Sequence, residues 1–477
     1  SVNAFRDIKL TNAKLVTYKT DKDNNLTLYV SKAASGNVSE VEVEFTLQET
    51  SVLNTEGKII VDFESETDVS FTLARQEGTE DQVWHLKAVY AGNPVLDGQF
   101  ADPDIDVFNG KYYMYTTTDG YPGWSGTVFH CFSSENLRDW VDEGIILDVA
   151  SNDVKWSVGS AWAPTIEEKN GKYYFYFCAK CPSGESQIGV AVADKPEGPY
   201  TAMDTPLLTM AICKEAGVEM GQTIDPSIFT DDDGTSYVLF GNGRAAIVKL
   251  NDDMVSIDTS TLKNINNLKD FREAVTVTKR DGVYHFTWSC DDTGSPDYHI
   301  NYGISDSLYG EVKNMGTILS KDTDLDILGT GHHCILHIPD TDEYYIAYHR
   351  FYTPLGSFTD GTGFHRETCI DKLTFDAETG YMQTVTPTLT GVAERVIAAS
   401  NKTEETSTEE AKETETKETE TKEPETKDSE VKEETGNTSG TSEESSEKSG
   451  NLSTVLIAAG VGLLLLGGLV LFKKKKK

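Results

Sequence analysis

The chain has 477 residues, of which 38% are hydrophobic and 10% aromatic, so its length allows roughly two to four folded units. Its 78 acidic residues outnumber its 42 basic residues, which gives a formal net charge of −36 at pH 7. A nucleic-acid partner is not expected, because contacts to phosphates need Lys- and Arg-rich surfaces.

Residues 1–90 show runs of alternating apolar and polar residues that predict β-strands at 41–48, 58–63, 69–74 and 83–90. Turn signals separate these runs, as in a small β-sandwich. We therefore expect an immunoglobulin-like accessory domain. A carbohydrate-binding module is the alternative, but its single tryptophan, Trp84, lies in mid-strand, where a core position is the commoner role.

Residues 91–396 contain five copies of one pattern, a β-rich run, a turn signal and an aromatic β-rich run. The copies begin at Ala101, Trp162, Asp225, Glu273 and His332. The first four turns carry Asn-Gly or Asp-Gly, which supply the positive φ angles that tight hairpins need. The copies recur every roughly 50 to 60 residues, a period that fits a four-stranded propeller blade. The fold class predicted for the whole chain is all-β, with a five-bladed β-propeller after the sandwich.

Acidic residues and a histidine pair stand near the start of the copies. These residues are Asp102, Asp225, Glu273, His332 and His333, with Trp162 at the corresponding place in the second copy. Equivalent positions of propeller blades face the same central axis, so the three carboxylates are expected to converge on one pocket.

Six further side chains are predicted to contact a substrate: Trp124, Trp162, Phe271, Trp288, Arg350 and Arg366. Trp124 lies in the loop GYPGWSG, and aromatic rings over a pocket commonly stack on sugar faces. A ring that covers a blade edge is the alternative for Trp124. The two arginines are candidates for sugar hydroxyl contacts or, equally, for ion pairs between blades.

The seven cysteines show no spacing typical of a disulfide framework. Cys178 and Cys181 form a CxxC pair that lacks a second pair or a βαβ context. We interpret them as incidental thiols rather than a metal or redox site.

The C-terminal part predicts a membrane anchor. Residues 397–451 are rich in Thr, Glu and Lys and are expected to form a disordered stalk. Residues 452–472 contain an 18-residue run without a charge and are predicted to form a transmembrane helix, with 473–477 as a basic cytoplasmic tail. The predicted location is the outer face of a cell membrane, in a Gram-positive bacterium, after processing of the N-terminus. This layout resembles the tail of Gram-positive surface proteins but lacks the Leu-Pro-x-Thr-Gly motif.

Residues 98–396 resemble glycoside hydrolase family 43. The matching motifs are ADPDI, WAPTIEEKNGKYYFY, IDPSIFTDDDG, FREAV and GTGHH. The resemblance implies a five-bladed propeller, with Asp102 as general base, Glu273 as general acid and Asp225 as a third carboxylate. It also implies calcium near His332, through its water shell since calcium prefers oxygen ligands. One departure is Ala274, where many members have glycine.

Inverting glycoside hydrolysis needs one protonated and one ionised carboxyl group on opposite sides of the anomeric carbon. The resemblance, together with this chemistry, implies an inverting, exo-acting hydrolase that removes α-L-arabinofuranosyl or β-D-xylosyl units from plant hemicellulose or arabinan fragments. We expect it to be a monomer. The alternatives are an endo-arabinanase and a non-catalytic propeller that binds glycans. A sialidase propeller is disfavoured because its repeated Ser-x-Asp-x-Gly-x-Thr-Trp boxes are missing from the sequence.

Overall fold

The structure is a computed structural model that describes residues 4–47, 51–53, 58–64, 69–75 and 81–398. The predicted transmembrane segment, its basic tail and nearly all of the predicted stalk lie outside these residues. Within the described part of the chain, no helix is long and apolar enough to span a membrane.

The described residues of the N-terminal region contain eight strands: β1 (Phe5–Leu10), β2 (Leu15–Thr20), β3 (Asn25–Ser31), β4 (Val41–Leu47), β5 (Ser51–Leu53), β6 (Lys58–Val61), β7 (Val69–Arg75) and β8 (Gln82–Ala91). They form one sheet of order β1-β4-β6 and another of order β2-β3-β8-β7-β5. The sequence runs predicted β4, β6, β7 and β8 to within two residues at each end but missed the first three strands and the short strand β5.

The two N-terminal sheets share one apolar core. Alternate residues of β4, Val41, Val43 and Phe45, are buried in it, as the period of two requires. Trp84 is also buried there, with its ring 4.9 Å from the ring of Phe5. Trp84 is therefore a core residue and is not presented on a binding face.

The following nineteen strands form five antiparallel sheets, which we call blades 1 to 5. Blade 1 contains β9 (Phe100–Phe108), β10 (Lys111–Thr118), β11 (Val128–Ser134) and β12 (Val141–Asp148). Blade 2 contains β13 (Gly159–Lys169), β14 (Lys172–Lys180), β15 (Ser186–Ala193) and β16 (Thr201–Ala202). Blade 3 contains β17 (Ser227–Thr230), β18 (Ser236–Phe240), β19 (Ala245–Leu250) and β20 (Ile257–Ile265). Blade 4 contains β21 (Phe271–Arg280), β22 (Val283–Cys290), β23 (His299–Ser305) and β24 (Lys313–Leu319). Blade 5 contains β25 (Gly331–His337), β26 (Tyr344–Phe351) and β27 (Arg366–Leu373).

The first two strands of every blade form the hairpin that the repeats predict. In blades 1, 2 and 4 a two-residue turn joins them, at 109–110, 170–171 and 281–282, and both turn residues have positive φ. These are the type I′ turns that Asn-Gly and Asp-Gly favour. Blades 3 and 5 use longer loops. Helical structure in the described residues comprises α1 (Met210–Glu215) and short 3₁₀ helices at Pro122–Trp124, Thr323–Leu325 and Thr362–Phe364.

Hydrogen bonds join each blade to the next, and they also join blade 5 to blade 1. At that last junction the Ile105 N–H donates to Cys334 Sγ (3.2 Å), and the Thr368 hydroxyl donates to the Phe100 carbonyl (2.8 Å). This succession is consistent with the predicted five-bladed propeller.

The N-terminal region is tied to blade 5 through a buried charge. Lys14 Nζ donates to Glu367 Oε2 (2.7 Å), and the Lys14 and Glu367 side chains are 11% and 0% exposed. The opposite oxygen of Glu367 accepts from Arg350 Nε (3.0 Å) and from the Thr353 hydroxyl (2.7 Å). The lysine therefore supplies the hydrogen bond to one oxygen of a fully buried carboxylate.

Replacing Lys14 by methionine is expected to lower the free energy of unfolding by about 2 kcal/mol, because Glu367 Oε2 would be left buried without a donor. Lys32→Met is the matched control. Lys32 also bridges the two regions, to Asp139 at 2.8 Å, but both side chains are more than a third exposed, so its loss is expected to cost less than about 1 kcal/mol. Chemical denaturation of both variants tests this, and equal losses contradict it.

Candidate active site

A small pocket of about 160 Å³ brings together the three predicted carboxylates. Asp102 belongs to β9 of blade 1, Asp225 lies two residues before β17 of blade 3, and Glu273 belongs to β21 of blade 4. The complete lining is Asp102, Trp124, Trp162, Gln222, Ile224, Asp225, Asn242, Arg272, Glu273, Asp292, Thr293, His332 and Arg366. Of the other predicted site residues, Trp124, Trp162, His332 and Arg366 are therefore in the pocket.

Three predicted substrate contacts lie elsewhere, and the prediction is corrected for them. Trp288 is fully buried in the core between blades 3 and 4, where its Nε1–H donates to the Lys269 carbonyl (2.9 Å). Arg350 is fully buried in its ion pair with Glu367. Phe271 packs against the same core as Trp288 and lines a different surface depression.

Each blade bends near the start of its first strand through one residue in the left-handed region. These residues are Asp102 (φ 51°), Ala163 (φ 45°), Asp225 (φ 59°), Ala274 (φ 55°) and His332 (φ 42°). The strand register shifts beside these residues in blades 1, 2, 4 and 5, and such bulges re-aim side chains next to active sites. The sequence comparison of the repeats therefore aligned blades 2 and 4 one residue too early. Trp162 and Glu273, which it matched to Asp102, directly precede the bent residues of their blades.

Ala274 occupies a conformation that favours glycine. A non-glycine residue there costs roughly 1–2 kcal/mol. We expect Ala274→Gly to leave the melting temperature unchanged or to raise it, although glycine inside a strand ordinarily destabilises by about 0.5–1 kcal/mol. Val275→Gly in the same strand is the control and should lower the melting temperature. A fall of the same size in both variants contradicts the prediction.

Asp102 is surrounded by groups that favour its ionised form. Arg366 Nη1 donates to Asp102 Oδ1 (2.9 Å), and the Thr117 hydroxyl donates to Oδ2 (2.7 Å). His349 Nδ1 lies 3.0 Å from Oδ1 and His332 Nδ1 lies 3.3 Å from it. Burial by itself raises the pKa of Asp102, but Arg366 and the two histidines outweigh it and hold that pKa well below its ordinary value.

Arg366 holds a second buried carboxylate that the sequence did not single out. Its Nε donates to Asp119 Oδ2 (2.6 Å) and its Nη2 to Asp119 Oδ1 (2.8 Å), a two-point contact that fixes the plane of the guanidinium. Burial raises the pKa of Asp119 to about 6 despite the arginine. Asp119 therefore orients Arg366 toward Asp102.

Glu273 is held by two neutral donors. The Tyr298 hydroxyl donates to its Oε1 (2.8 Å) and Asn242 Nδ2 donates to its Oε2 (2.7 Å). The nearest cation is Arg272, whose Nε is 3.9 Å from Oε2 but whose terminal nitrogen pairs with Asp292 at 2.9 Å. The environment of Glu273 is thus much less positive than that of Asp102.

Asp225 is affected by the charges of both other carboxylates of the pocket. Burial, followed by the negative charges of Glu273 and Asp102, raises the pKa of Asp225 well above its ordinary value. Its Oδ2 is buried and accepts no hydrogen bond. The pKa values of Asp102 and Asp225 are therefore pushed in opposite directions, although both side chains line the same pocket.

A family model for "Glycosyl hydrolases family 43" matches residues 91–380, which is more than half of the chain. The chain belongs to glycosyl hydrolase family 43. It is therefore a glycosidase, as the sequence predicts.

Two curated family members illustrate the similarity. A β-D-galactofuranosidase from Aspergillus niger is 33% identical over 65% of this chain and 88% of its own length. A xylosidase/arabinosidase from Humicola insolens is 30% identical over 50% of this chain and 84% of its own length. Among solved structures, a family 43 β-xylosidase/α-arabinofuranosidase from a compost metagenome, in complex with xylotriose and in a calcium-free form, matches with a TM-score of 0.51. It is 27% identical over 61% of this chain and 95% of its own length.

The two tryptophans of the family 43 pocket are fixed by hydrogen bonds rather than free to rotate. Trp124 Nε1–H donates to the Gly363 carbonyl (2.7 Å), and Trp162 Nε1–H donates to the Trp124 carbonyl (2.6 Å). The Lys180 ammonium lies over the Trp162 ring, 4.9 Å from its centre. Both rings are therefore preset as walls of the pocket, which lowers the entropy cost of binding against them.

His332, predicted to lie near calcium, faces the carboxylates, with its Nδ1 3.9 Å from Asp225 Oδ2 as well as near Asp102. Among the residues that the structure describes, no group of three or more His, Cys, Asp or Glu side chains is arranged to hold a metal ion. Calcium takes about six to eight oxygen ligands. These side chains do not by themselves form a calcium site.

Proposed function

We propose that this family 43 enzyme is an inverting, exo-acting hydrolase that removes α-L-arabinofuranosyl or β-D-xylosyl units from hemicellulose or arabinan oligosaccharides. We also propose that its five blades close into a five-bladed propeller around the pocket. One observation carries the mechanism: Asp102 and Glu273 line the same small pocket, but only Asp102 is held between an arginine and two histidines.

Asp102 is the proposed general base. A base must be ionised to take a proton from the attacking water, and the lowered pKa of Asp102 favours its ionised form. Arg366 and Thr117 fix both carboxylate oxygens. The water would be held by Asp102 and would attack the anomeric carbon from the face opposite the leaving group.

Glu273 is the proposed general acid. It would protonate the glycosidic oxygen while that bond breaks. The hydrogen bonds from Tyr298 and Asn242 fix the direction of its carboxyl group. Asp225, which resists ionisation beside it, limits the negative charge that accumulates around the acid.

Exo action is supported by the size and walls of the pocket. A volume of about 160 Å³ suits a terminal sugar unit better than the middle of a chain. The side chains of Trp124 and Trp162 form the wall of the pocket on the side of blades 1 and 2. An apolar sugar face can stack on such rings, which places the anomeric carbon between the carboxyl groups.

A β-D-galactofuranosyl unit is the second candidate substrate, because the Aspergillus niger relative bears that activity in its name. The β-D-galactofuranosyl and α-L-arabinofuranosyl units are chemically similar. The β-D-galactofuranosyl ring has the same configuration at its ring carbons as the α-L-arabinofuranosyl ring and carries one additional exocyclic CH₂OH group. The difference between the two activities is therefore the room for one hydroxymethyl group.

Sugar release by the purified full chain tests the proposed function. The substrates are aryl α-L-arabinofuranoside, aryl β-D-xyloside and aryl β-D-galactofuranoside, with linear arabinan as the polymer. Release from one aryl glycoside, with inverted anomeric configuration in the first product seen by NMR, supports the proposal. Retained configuration contradicts the mechanism, and release from arabinan alone indicates an endo-arabinanase. Glycan binding without release from any substrate indicates a non-catalytic propeller.

Two further expectations stay predictions. Calcium bound near His332 through water is supported by the relative described in a calcium-free form, and elemental analysis of the dialysed protein tests it. Anchoring of a monomeric enzyme to the outer face of a membrane is supported by the uncharged run within 452–472. Fractionation of cells that express the full chain and a chain ending at residue 400 tests that location.

A further inference from the structure

The second strand of each blade carries one residue at a matched register, opposite the residue that precedes the left-handed bend. We call these five residues the second-strand ring: Thr117, Cys178, Gly241, Ser289 and His349. The mechanism proposed above uses only Thr117 and His349 among them.

Members of the second-strand ring contact the bent residue of the following blade. Three of these contacts are hydrogen bonds from the backbone N–H of the bent residue to a side chain: Ala163 to Thr117 Oγ1 (2.7 Å), Asp225 to Cys178 Sγ (3.0 Å) and His332 to Ser289 Oγ (2.9 Å). Each satisfies a buried N–H that the bulge removes from the strand ladder.

The fourth contact made by a side chain of the second-strand ring joins blade 5 to blade 1. His349 Nδ1 lies 3.4 Å from the Asp102 nitrogen and 3.0 Å from its Oδ1. With its proton on Nδ1, the imidazole donates to the carboxylate. His349 therefore holds the bent residue of blade 1 mainly through its side chain.

Blade 3 departs from this pattern. Its ring member is Gly241, with φ 118°, and a Cβ there would lie 2.3 Å from the Arg244 carbonyl oxygen, so no side chain fits. The Asp225 carboxylate instead faces the proposed acid: Asp225 and Glu273 line the same pocket, and the backbone N–H of Ala274, the residue after Glu273, interacts with the Asp225 carboxylate.

We infer that Cys178 is a positioning residue for the acid side of the active site, acting through Asp225. Its sulfur accepts the Asp225 N–H (3.0 Å), and the Asp225 side chain lines the same pocket as Glu273, beside the backbone of Ala274. Both bent residues have strained left-handed conformations that persist only where neighbouring groups hold them. Cys178 is fully buried at the first step of this chain of contacts. The inference rests on the proposed function.

A thiol suits this position because it accepts a hydrogen bond without bringing charge. Burial, and then the charge of Asp225, raise the pKa of Cys178 well above its ordinary value, so it remains a neutral thiol. A charged acceptor would add a further negative charge to a site that already holds three carboxyl groups.

The test compares Cys178→Ala and Cys178→Ser with the control Cys131→Ala in the full chain. Cys131 is equally buried, in β11 of blade 1, but does not touch a bent residue. Each enzyme is assayed on two glycosides of the sugar that the wild type releases. The 2,4-dinitrophenyl glycoside has a leaving group that needs little protonation, whereas the methyl glycoside needs the acid fully.

We expect Cys178→Ala to lower kcat about 10-fold or more on the methyl glycoside and less than about 3-fold on the dinitrophenyl glycoside. KM should change little, and Cys178→Ser should recover most of the loss because its hydroxyl accepts the same N–H. Cys131→Ala should lower thermal stability as much as Cys178→Ala but spare kcat on both substrates.

The inference is overturned if Cys178→Ala and Cys131→Ala have the same kcat on each glycoside, or if Cys178→Ala lowers kcat by the same factor on both glycosides. If Cys178→Ala does not fold, the test compares Cys178→Thr with Cys178→Val. The two side chains have nearly the same shape, but only the threonine hydroxyl can accept the Asp225 N–H. Equal kcat in that pair overturns the inference. A wild type that releases no sugar from any glycoside instead removes the proposed function, and this inference with it.

Discussion

Glu273→Gln is expected to lower kcat by about 10³-fold on the methyl glycoside, because an amide cannot protonate the leaving oxygen. The substitution preserves the local contacts, since the amide oxygen can accept from Asn242 and the amide NH₂ can donate to Tyr298. On the 2,4-dinitrophenyl glycoside, whose leaving group departs without protonation, the loss should be less than about 10-fold. Steady-state kinetics on both substrates measures the difference.

The control is Glu185→Gln, which replaces an exposed glutamate on the loop after β14 and should leave both rates unchanged. A loss of equal size on the two substrates assigns Glu273 to substrate binding or to structure rather than to proton donation.

Arg366→Met is expected to move the acid limb of kcat/KM to higher pH by about one unit or more. Arg366 is the strongest of the groups that lower the pKa of Asp102 against burial. Without it, burial raises that pKa, and a larger fraction of the base is protonated at any given acidic pH. A pH series of kcat/KM on the aryl glycoside measures the shift.

The same substitution should reverse the pH dependence of stability. In the wild type the pKa of Asp102 is below its unfolded value, so its contribution is present above about pH 4 and is lost as the pH falls through the folded pKa. In Arg366→Met the folded pKa lies above the unfolded value, and stability falls as the pH rises between the two. Because Asp102 and Asp119 would both lose their arginine partner, the free energy of unfolding at pH 7 should fall by about 3–5 kcal/mol.

Arg395→Met is the matched control for Arg366. Arg395 pairs with Glu343 at 2.8 Å on the surface, with both side chains a quarter or more exposed, and its loss should cost less than about 1 kcal/mol. Adding Asp119→Asn to Arg366→Met should recover part of the stability but none of the shift in the acid limb. An unchanged acid limb in Arg366→Met contradicts the role assigned to the arginine.

Arg350 and Arg366 carry the same prediction in the sequence analysis, but the register of their strands places them at different sites. Arg350 in β26 lies opposite Glu367 in β27, whereas Arg366 lies opposite Phe351. Residues that face one another across a sheet point to the same side, and successive residues alternate. One step of register therefore sends Arg366 to the pocket and Arg350 to the buried junction with Lys14.

Local sequence alone determined the repeated hairpins, since Asn-Gly at 109–110 and 170–171 and Asp-Gly at 281–282 specify the turns by backbone stereochemistry. Repetition of those hairpins was enough to expect Asp102, Asp225 and Glu273 in one place. The partners of these carboxylates were decided only by tertiary structure. Asn242 follows a strand of blade 3 and contacts Glu273 of blade 4, and His349 of blade 5 contacts Asp102 of blade 1. Such contacts between blades leave no local periodic signal. Pairing between blades places these groups beside the carboxylates, and their charges and hydrogen bonds then distinguish the base from the acid.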